Sequence, residues 1–502
     1  MNKVNFVLLA VLALAVSTLG QNRVDAFDAY VEASRAAWNV PGISIAVVQD
    51  GKVVLSKGYG VRELGKSEKV DSQTLFGCMS TTKAMTAVAM GMLVDEGKVA
   101  WNDKVIKHLP DFRLADPYVT NELTVRDLLT HNTGVGNTDF LWAWWPEMPS
   151  GEIVRRMSMA KQQYSMRGGF VYQNIMYLVA GKVIEKASGM KWEAFMTERL
   201  FRPLGMNSTF ATYRDSKAYT NRSSAHYEIK GKIDVIPEMV VDEAGPAGSV
   251  WSTADDIAKW TKFMLGNTTV GGRELLKPAT YDELLRPQVV IPPSGGFYPT
   301  ASITKPKWTT YGLGWFQHDY RGAKLDLHTG SLAGRTAIIG MITDKNVGVY
   351  VFGNLDHAEV RHALMYKAID VYGFNDDSRD WSSEFKTLYD RIKTEGEKQE
   401  TTVRAMRSQN TKPSLSLAAY AGKYADPFYG EVTVEAVGDK LMLRISREFT
   451  AELRHWQYDT FEAVFEQTWQ GSSLVGFGLA PVGGRVVSLN IDGLELKRVA
   501  GK

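Results

Sequence analysis

The chain has 502 residues, more than one ordinary hydrophobic core accommodates, so two domains are expected. A hydrophobic content of 44% with 45 glycines describes an ordered globular protein, and a formal charge of only +2, with both signs interspersed, excludes a basic stripe for nucleic acid. Cys78 is the only cysteine, which excludes an intramolecular disulfide.

At the N-terminus, Met-Asn-Lys precedes an apolar run from Val4 to Leu14 and small residues around Ser17 to Gly20. That is the order of a secretory signal peptide, residues 1–20, cleaved near Gly20. The run is shorter than the roughly 20 residues of a membrane anchor. A secreted or periplasmic protein with no stable membrane span after cleavage is expected, and without disulfides it must rely on its core. Val24 to Trp38 then reads as an amphipathic helix stopped by Pro41. Ile43–Val48 and Val53–Tyr59 flank Asp50-Gly51, a strong hairpin signal. From Ser80 to Glu96 the chain is apolar and rich in Ala and Met up to Gly97, which predicts a buried helix with a glycine cap. A second apolar helix follows Tyr172 and ends at Gly189, and residues 287–310 read as a long surface loop.

Strand character returns before His328, and Ala337–Ile342 with Val347–Phe352 form a second hairpin turning at Asp344–Asn346. Strands at both ends with helices between them predict an α+β unit over 21–378: an antiparallel sheet flanked by helices, plus an all-helical lobe. Near Asp380 the character changes. Trp381 to Gln409 carries charge at helical spacing with few apolar positions, a solvated linker helix within 379–412. From Leu415 onward, short β-rich runs broken by glycine predict a small barrel-like domain over 413–502: Gly430–Val437, Lys440–Ile445, Ala451–Trp456, Thr460–Phe465, Ser473–Leu479, Arg485–Ile491 and Leu494–Val499. A barrel of this size is expected to be filled by its own side chains.

The chemistry is carried by three clusters. Ser80 stands three residues before Lys83, so a hydroxyl and an amine share one helix face. A serine hydroxyl is a weak nucleophile until a neighbour takes its proton, and a desolvated lysine is able to do so. Tyr172-Gln-Asn174 precedes the second apolar helix, and His328-Thr-Gly330 leads into Ser331. In that order the motifs resemble the penicillin-recognising serine hydrolases, whose related set is S-x-x-K, S-D-N and K-T-G. The tyrosine is similar to that of class C β-lactamases, and the histidine resembles the D-aminopeptidase, DD-peptidase and esterase branch. Val40–Val48, Leu123–Gly134, Phe201–Met206 and Ala247–Asp256 resemble the group's framework, so the resemblance spans roughly residues 27–375. The C-terminal runs resemble the lipocalin-like domains attached to some D-aminopeptidase-type relatives.

The resemblance implies a catalytic unit of Ser80, Lys83 and Tyr172. Ser80 attacks a carbonyl, Lys83 accepts the proton and Tyr172 passes it to the leaving group. A phenol serves as base only where a nearby cation lowers its affinity, and Lys83 is expected to supply that charge. Substrate binding falls to Asn174, His328 and Gly330, and the oxyanion hole to the main-chain N–H groups of Ser80 and Ser331. A histidine in place of lysine weakens recognition of a β-lactam carboxylate; Arg335 either replaces that charge or is solvated. Phe140-Leu-Trp-Ala-Trp-Trp-Pro146 is expected to pack the helical lobe with at least one ring reaching the cleft.

Cys78 reads as a small buried thiol. The eight histidines show no H-E-x-x-H spacing, so no metal site and no cofactor is expected. The expected partner is a small-molecule or peptide substrate, with no nucleic acid; nothing in the sequence sets an oligomeric state. The leading reading is an exported serine hydrolase that cleaves an amide, a peptide bond at a D-amino acid. A carboxylesterase or β-lactamase on the same machinery is an alternative. So is a binding or sensor protein acylated once without turnover, and so is a barrel carrier with a vestigial catalytic lobe, which the intact Ser80, Lys83, Tyr172 and Asn174 argue against.

Overall fold

The computed structural model describes residues 23–292 and 297–499; the predicted signal segment, 1–20, lies outside them. Strand β1 (Gly42–Gln49) and β2 (Lys52–Gly60) close through Asp50 and Gly51, at φ 50° and 70°. Positive φ at both central residues is what a tight primed turn requires. The remaining strands of the sheet come far later: β3 (Val289–Val290), β4 (Thr309–Tyr311), β5 (Phe316–Tyr320), β6 (Ala323–Leu332), β7 (Arg335–Ile342) and β8 (Val347–Gly353). They form one eight-stranded sheet in the order β2-β1-β8-β7-β6-β5-β4-β3, and every pairing in it is antiparallel.

The central strands are apolar on both faces because helices cover both. In β7, Ile338 joins one core with Phe27 and Val31, while its neighbours Ile339 and Met341 join the other. Helix α1 (23–37) packs on the first face together with α5 (Val360–Ala368) and the start of α6 (Trp381–Ala405). The second face carries α2 (Thr82–Asp95), α3 (Asn174–Ser188) and α4 (Ala254–Met264), which lead into the helical lobe. Every residue of α2 from Thr82 to Leu93 is buried. A helix apolar all round belongs at the centre of a fold, and α2 runs between lobe and sheet. Helix α3 ends at Gly189, whose φ of 73° is the left-handed cap expected.

The start of α6 departs from the solvated linker predicted. Trp381, Phe385 and Leu388 are buried against α5, and the Trp381 indole donates to Asp370 Oδ2 at 2.8 Å while its ring stacks on Tyr366 at 4.9 Å. Only the rest of the helix is solvated, which is why the segment as a whole looked polar.

All seven predicted C-terminal runs form strands, as β10 (Gly430–Val437), β11 (Lys440–Arg444), β12 (Thr450–Gln457), β13 (Thr460–Phe465), β14 (Ser472–Leu479), β15 (Val486–Ile491) and β16 (Leu494–Arg498). An additional strand, β9 (Gly422–Asp426), pairs with both β10 and β16 and closes an eight-stranded barrel. Only Tyr424 of β9 is buried, so it lacks the alternation that marks the others. Inward residues such as Val434, Leu443, Phe461, Val475 and Leu489 fill the interior. Among the described residues, no helix is long and apolar enough to cross a membrane.

Trp381→Ala removes a fully buried ring and orphans Asp370 Oδ2. It is expected to cost about 3–5 kcal/mol in urea unfolding. A loss below about 1 kcal/mol, the range of an exposed position, would instead mean that α6 is the solvated linker first expected.

Candidate functional site

Ser80 sits in a single 3₁₀ turn, Met79–Thr81, which runs directly into α2. Met79 holds φ at 47°, a costly conformation for a side chain of its size, and presents Ser80 partly exposed at the helix entrance. Lys83 follows one turn later and is fully buried, with Nζ 3.0 Å from Ser80 Oγ. It also donates to Asn174 Oδ1 at 2.6 Å and to the Ala247 carbonyl at 2.9 Å. All three partners are neutral, so burial lowers the ammonium's proton affinity to about 7, against a smaller opposing effect of Asp139.

Tyr172 reaches Ser80 from the other side. Its phenol lies beside the Ser80 side chain, and its ring lies 4.9 Å from Lys83 Nζ, with His131 packed on it at 4.2 Å and Phe316 stacked at 6.2 Å. The expectation that Lys83 would lower the phenol's affinity is not met. Burial raises Tyr172 well above its ordinary value, and the amine that was to supply the charge is itself depressed by the same burial.

His328, from β6, lines the cleft but is 1% exposed. Its Nδ1–H donates to the Thr329 carbonyl at 2.7 Å, so Nε2 accepts from the Tyr311 hydroxyl at 3.0 Å. Desolvation, with Lys83 nearby, pushes it down to about 3, and the imidazole is neutral. The same direction of bonding continues into the helical lobe. His131 accepts the Gln173 N–H at Nδ1 (2.9 Å), and its Nε2 meets Tyr311 at 3.2 Å. Gly330 earns its place by close approach: a Cβ there would stand 2.3 Å from the Cys78 carbonyl oxygen and 3.0 Å from Ser80 N. Ser331 is exposed on the cleft rim.

Ser80, Lys83, Tyr172, Asn174, His328, Gly330 and Ser331 are thus brought together; Ser80, Tyr172, Asn174, His328 and Ser331 line a cavity of about 440 Å³, and Lys83 and Gly330 lie against Ser80 behind its wall. Arg335 is neither a cleft cation nor solvated. It is 2% exposed, ion-paired with Glu238 and bonded to Ser223. A different arginine bears on the site: Arg361 of α5 donates to the Gly330 carbonyl (2.5 Å) and to Ser331 Oγ (2.8 Å), and pairs with Glu359. Sequence reading also missed Asp139, whose Oδ2 accepts from Asn174 Nδ2 at 2.9 Å. The loop 287–310 is not merely surface, since Phe297, Tyr298 and Pro299 wall the cleft. Trp142 reaches the cleft as predicted of one tryptophan in its segment, but Trp144 packs into the barrel core rather than the lobe. Cys78 is fully buried, with its thiol pushed up to about 12, as a structural thiol should be. No group of three metal-ligating side chains occurs among the described residues.

An antiparallel sheet with a helical lobe, a serine and a buried lysine one turn apart, and a tyrosine facing them define a serine hydrolase of the β-lactamase and penicillin-binding-protein type. Residues 27–373 match the family model described as Beta-lactamase, and the chain belongs to that family. Residues 406–500 match a domain of unknown function (DUF3471). The chain is 30% identical to unguisins hydrolase ungD′ of Aspergillus campestris over 81% of its own length and 77% of the relative's. In fold it resembles the octameric penicillin-binding protein homologue from Pyrococcus abyssi, at a TM-score of 0.62 and 22% identity over 94% of this chain and 99% of that one. It also resembles SurE, at 0.57 and 20% identity over 95% and 100%; SurE solved with D-Leu gives 0.55 and 19% over the same shares.

Gly330→Ala tests the close approach of β6 to the Ser80 turn. The new methyl would press on the backbone of Cys78 and Ser80, so the turn must shift, and kcat of the folded variant is expected to fall by about 10²-fold, the scale of a displaced reacting group. Activity within twofold of wild type would show that the strand need not lie against Ser80.

Proposed function

We propose that the protein hydrolyses an amide bond, at a D-amino acid, through an acyl-enzyme on Ser80. The observation that carries this reading is the 3.0 Å contact between Ser80 Oγ and a buried amine whose proton affinity is about 7. An amine poised near neutral pH is the better base of the two neighbours, because Tyr172 is held protonated. Lys83 takes the Ser80 proton as Oγ attacks the carbonyl. Tyr172, neutral and beside Ser80, gives its proton to the leaving group and regains one from the Lys83 ammonium, which returns Lys83 to the free amine; it then orients the deacylating water. The N–H groups of Ser80 and Ser331 receive the oxyanion, with Gly330 bare so that β6 can approach. Asn174 holds the Lys83 amine and offers its amide edge to the substrate, and His328 lines the cleft as a neutral imidazole.

The walls suggest the substrate class. Met79, Trp142, Phe297, Tyr298, Phe316 and Leu332 make an apolar lining, and no lysine or arginine is among its described residues. Arg335 and Arg361 are both committed to glutamates. A site of this kind suits an apolar acyl group with no carboxylate beside the scissile bond, which ranks β-lactams and C-terminal peptide carboxylates below blocked amides. The relative named a hydrolase of unguisins supports hydrolysis, and the neighbour SurE, solved with D-Leu, supports a D-amino acid in the substrate. The apolar lining equally favours the second reading, a carboxylesterase for small acyl esters. We further propose export by residues 1–20, a hydrolase unit over 21–378, a linker over 379–412 and a lipocalin-like barrel over 413–502.

The test is a matched panel of D-alanyl anilide, its L-enantiomer, a chromogenic cephalosporin and a short-chain nitrophenyl ester. D-anilide turnover exceeding the L-form, abolished by Ser80→Ala, is expected. Turnover of the ester alone moves the protein to the esterase reading, a burst of one equivalent without steady state to the sensor reading, and retained activity in Ser80→Ala overturns the assignment. Lys83→Ala and Tyr172→Phe should each lower kcat by about 10³-fold or more, and the double variant little further, as members of one unit do. With Lys83 as base, kcat/KM should fall as pH drops below about 7 and the amine becomes protonated; a profile flat from pH 5 to 9 would contradict that role.

A further inference from the structure

The one-turn helix Phe140–Ala143 lies between the cleft and the barrel and has a face in each. On the cleft side, Asp139 and Trp142 line the cavity, and the Trp142 indole donates to Asp139 Oδ1 at 2.9 Å. Asp139 Oδ2 accepts from Asn174 Nδ2 at 2.9 Å. A carboxylate is acceptor-only, so it fixes the amide nitrogen of Asn174 towards itself and leaves the amide oxygen for Lys83. On the barrel side, Trp144 is a buried member of the barrel core, with Phe140, Ala143 and Trp145 packed around that core. Its ring meets Phe140 at 4.5 Å and Phe449, at the entrance to β12, at 6.5 Å. A second tie lies close by: Arg156 donates to the Phe428 carbonyl at 2.8 Å, and Phe428, in the β9–β10 turn, is packed into the core of the helical lobe.

We infer that the C-terminal barrel is a working part of the active site: it anchors Trp144, the anchor holds Asp139, and Asp139 is a positioning residue that sets the orientation of Asn174 against Lys83. The barrel is filled by its own side chains together with Trp144, and its role is to brace the cleft wall. The inference deepens the proposed function and rests on Lys83 as the base. Around Lys83 stand Tyr172 and Tyr177, with ring centres 4.9 and 5.3 Å away, the neutral His131 and His328, and Asp139. Asp139 carries a negative charge that favours protonated Lys83, so displacing it makes the amine easier to deprotonate.

The test compares the pH dependence of kcat/KM in the full-length wild type, Asp139→Asn, Trp144→Ala and Phe449→Ala on whichever panel substrate is turned over. Asp139→Asn is expected to move the acid limb to lower pH and reduce kcat by about 10–100-fold, as a misplaced positioning group does. Trp144→Ala and Phe449→Ala, neither of which touches the cleft, should move the limb the same way, and their double variant should add little to either. Trp144→Phe and Phe449→Leu replace them if either alanine variant fails to fold, with the same direction expected. Barrel variants that lower the melting temperature but leave both the limb and kcat as in wild type overturn the inference while the role of Lys83 stands. A wild type without the limb overturns that role, and the inference with it.

Discussion

Lys83 is buried with no opposite charge in contact with it, the nearest, Asp139, standing behind Asn174. Moving an ammonium out of water without a counter-ion is so costly that the group gives up its proton instead. Ser80, Asn174 and the Ala247 carbonyl satisfy the amine by hydrogen bonding alone. The rest of the fold supplies the burial. Helix α2 is enclosed on every side; α3 brings Asn174 against its first turn, and β6 brings Gly330 against the 3₁₀ turn that precedes it. The strained φ of Met79 is the local consequence of turning a serine out of that enclosure.

The same dryness sets the state of every ring around it. Tyr172 stays a phenol, and His328 and His131 stay neutral, because each loses the solvation that its charged form needs. The chain His131–Tyr311–His328 ties the helical lobe to the sheet with donors and acceptors in one consistent direction. A cleft so built has no fixed cation to offer among its described residues, and its walls are aromatic. Charge in the lining is confined to Asp139, which is why we propose recognition by shape and apolar contact.

The sequence made some of this legible and hid the rest for physical reasons. Ser80 and Lys83 were legible because helical spacing alone makes them neighbours. Tyr172 and His328 needed the order of motifs, since no local pattern links residues so far apart. The wrong arginine drew attention: Arg335 lies beside the third motif, but Glu238 neutralises it, whereas Arg361, on a helix that follows the sheet, reaches Gly330 and Ser331. The state of Tyr172 was misjudged because a lysine was counted as a charge before its burial was known. Strand β9 was missed because one buried tyrosine makes no alternation. Asp139 carries no motif, and the double face of its turn exists only once the barrel is in place.

The most direct measurement is the titration of Lys83 itself, followed by heteronuclear NMR of protein labelled with ¹³Cε,¹⁵Nζ-lysine and assigned by the missing signal in Lys83→Ala. A Lys83 resonance that titrates near pH 7, well apart from the other lysines, is the result expected of a buried amine whose desolvation outweighs the charge of Asp139. A resonance that titrates with the bulk, near the ordinary 10.5, would mean that Lys83 is an ammonium at neutral pH and does not deprotonate Ser80.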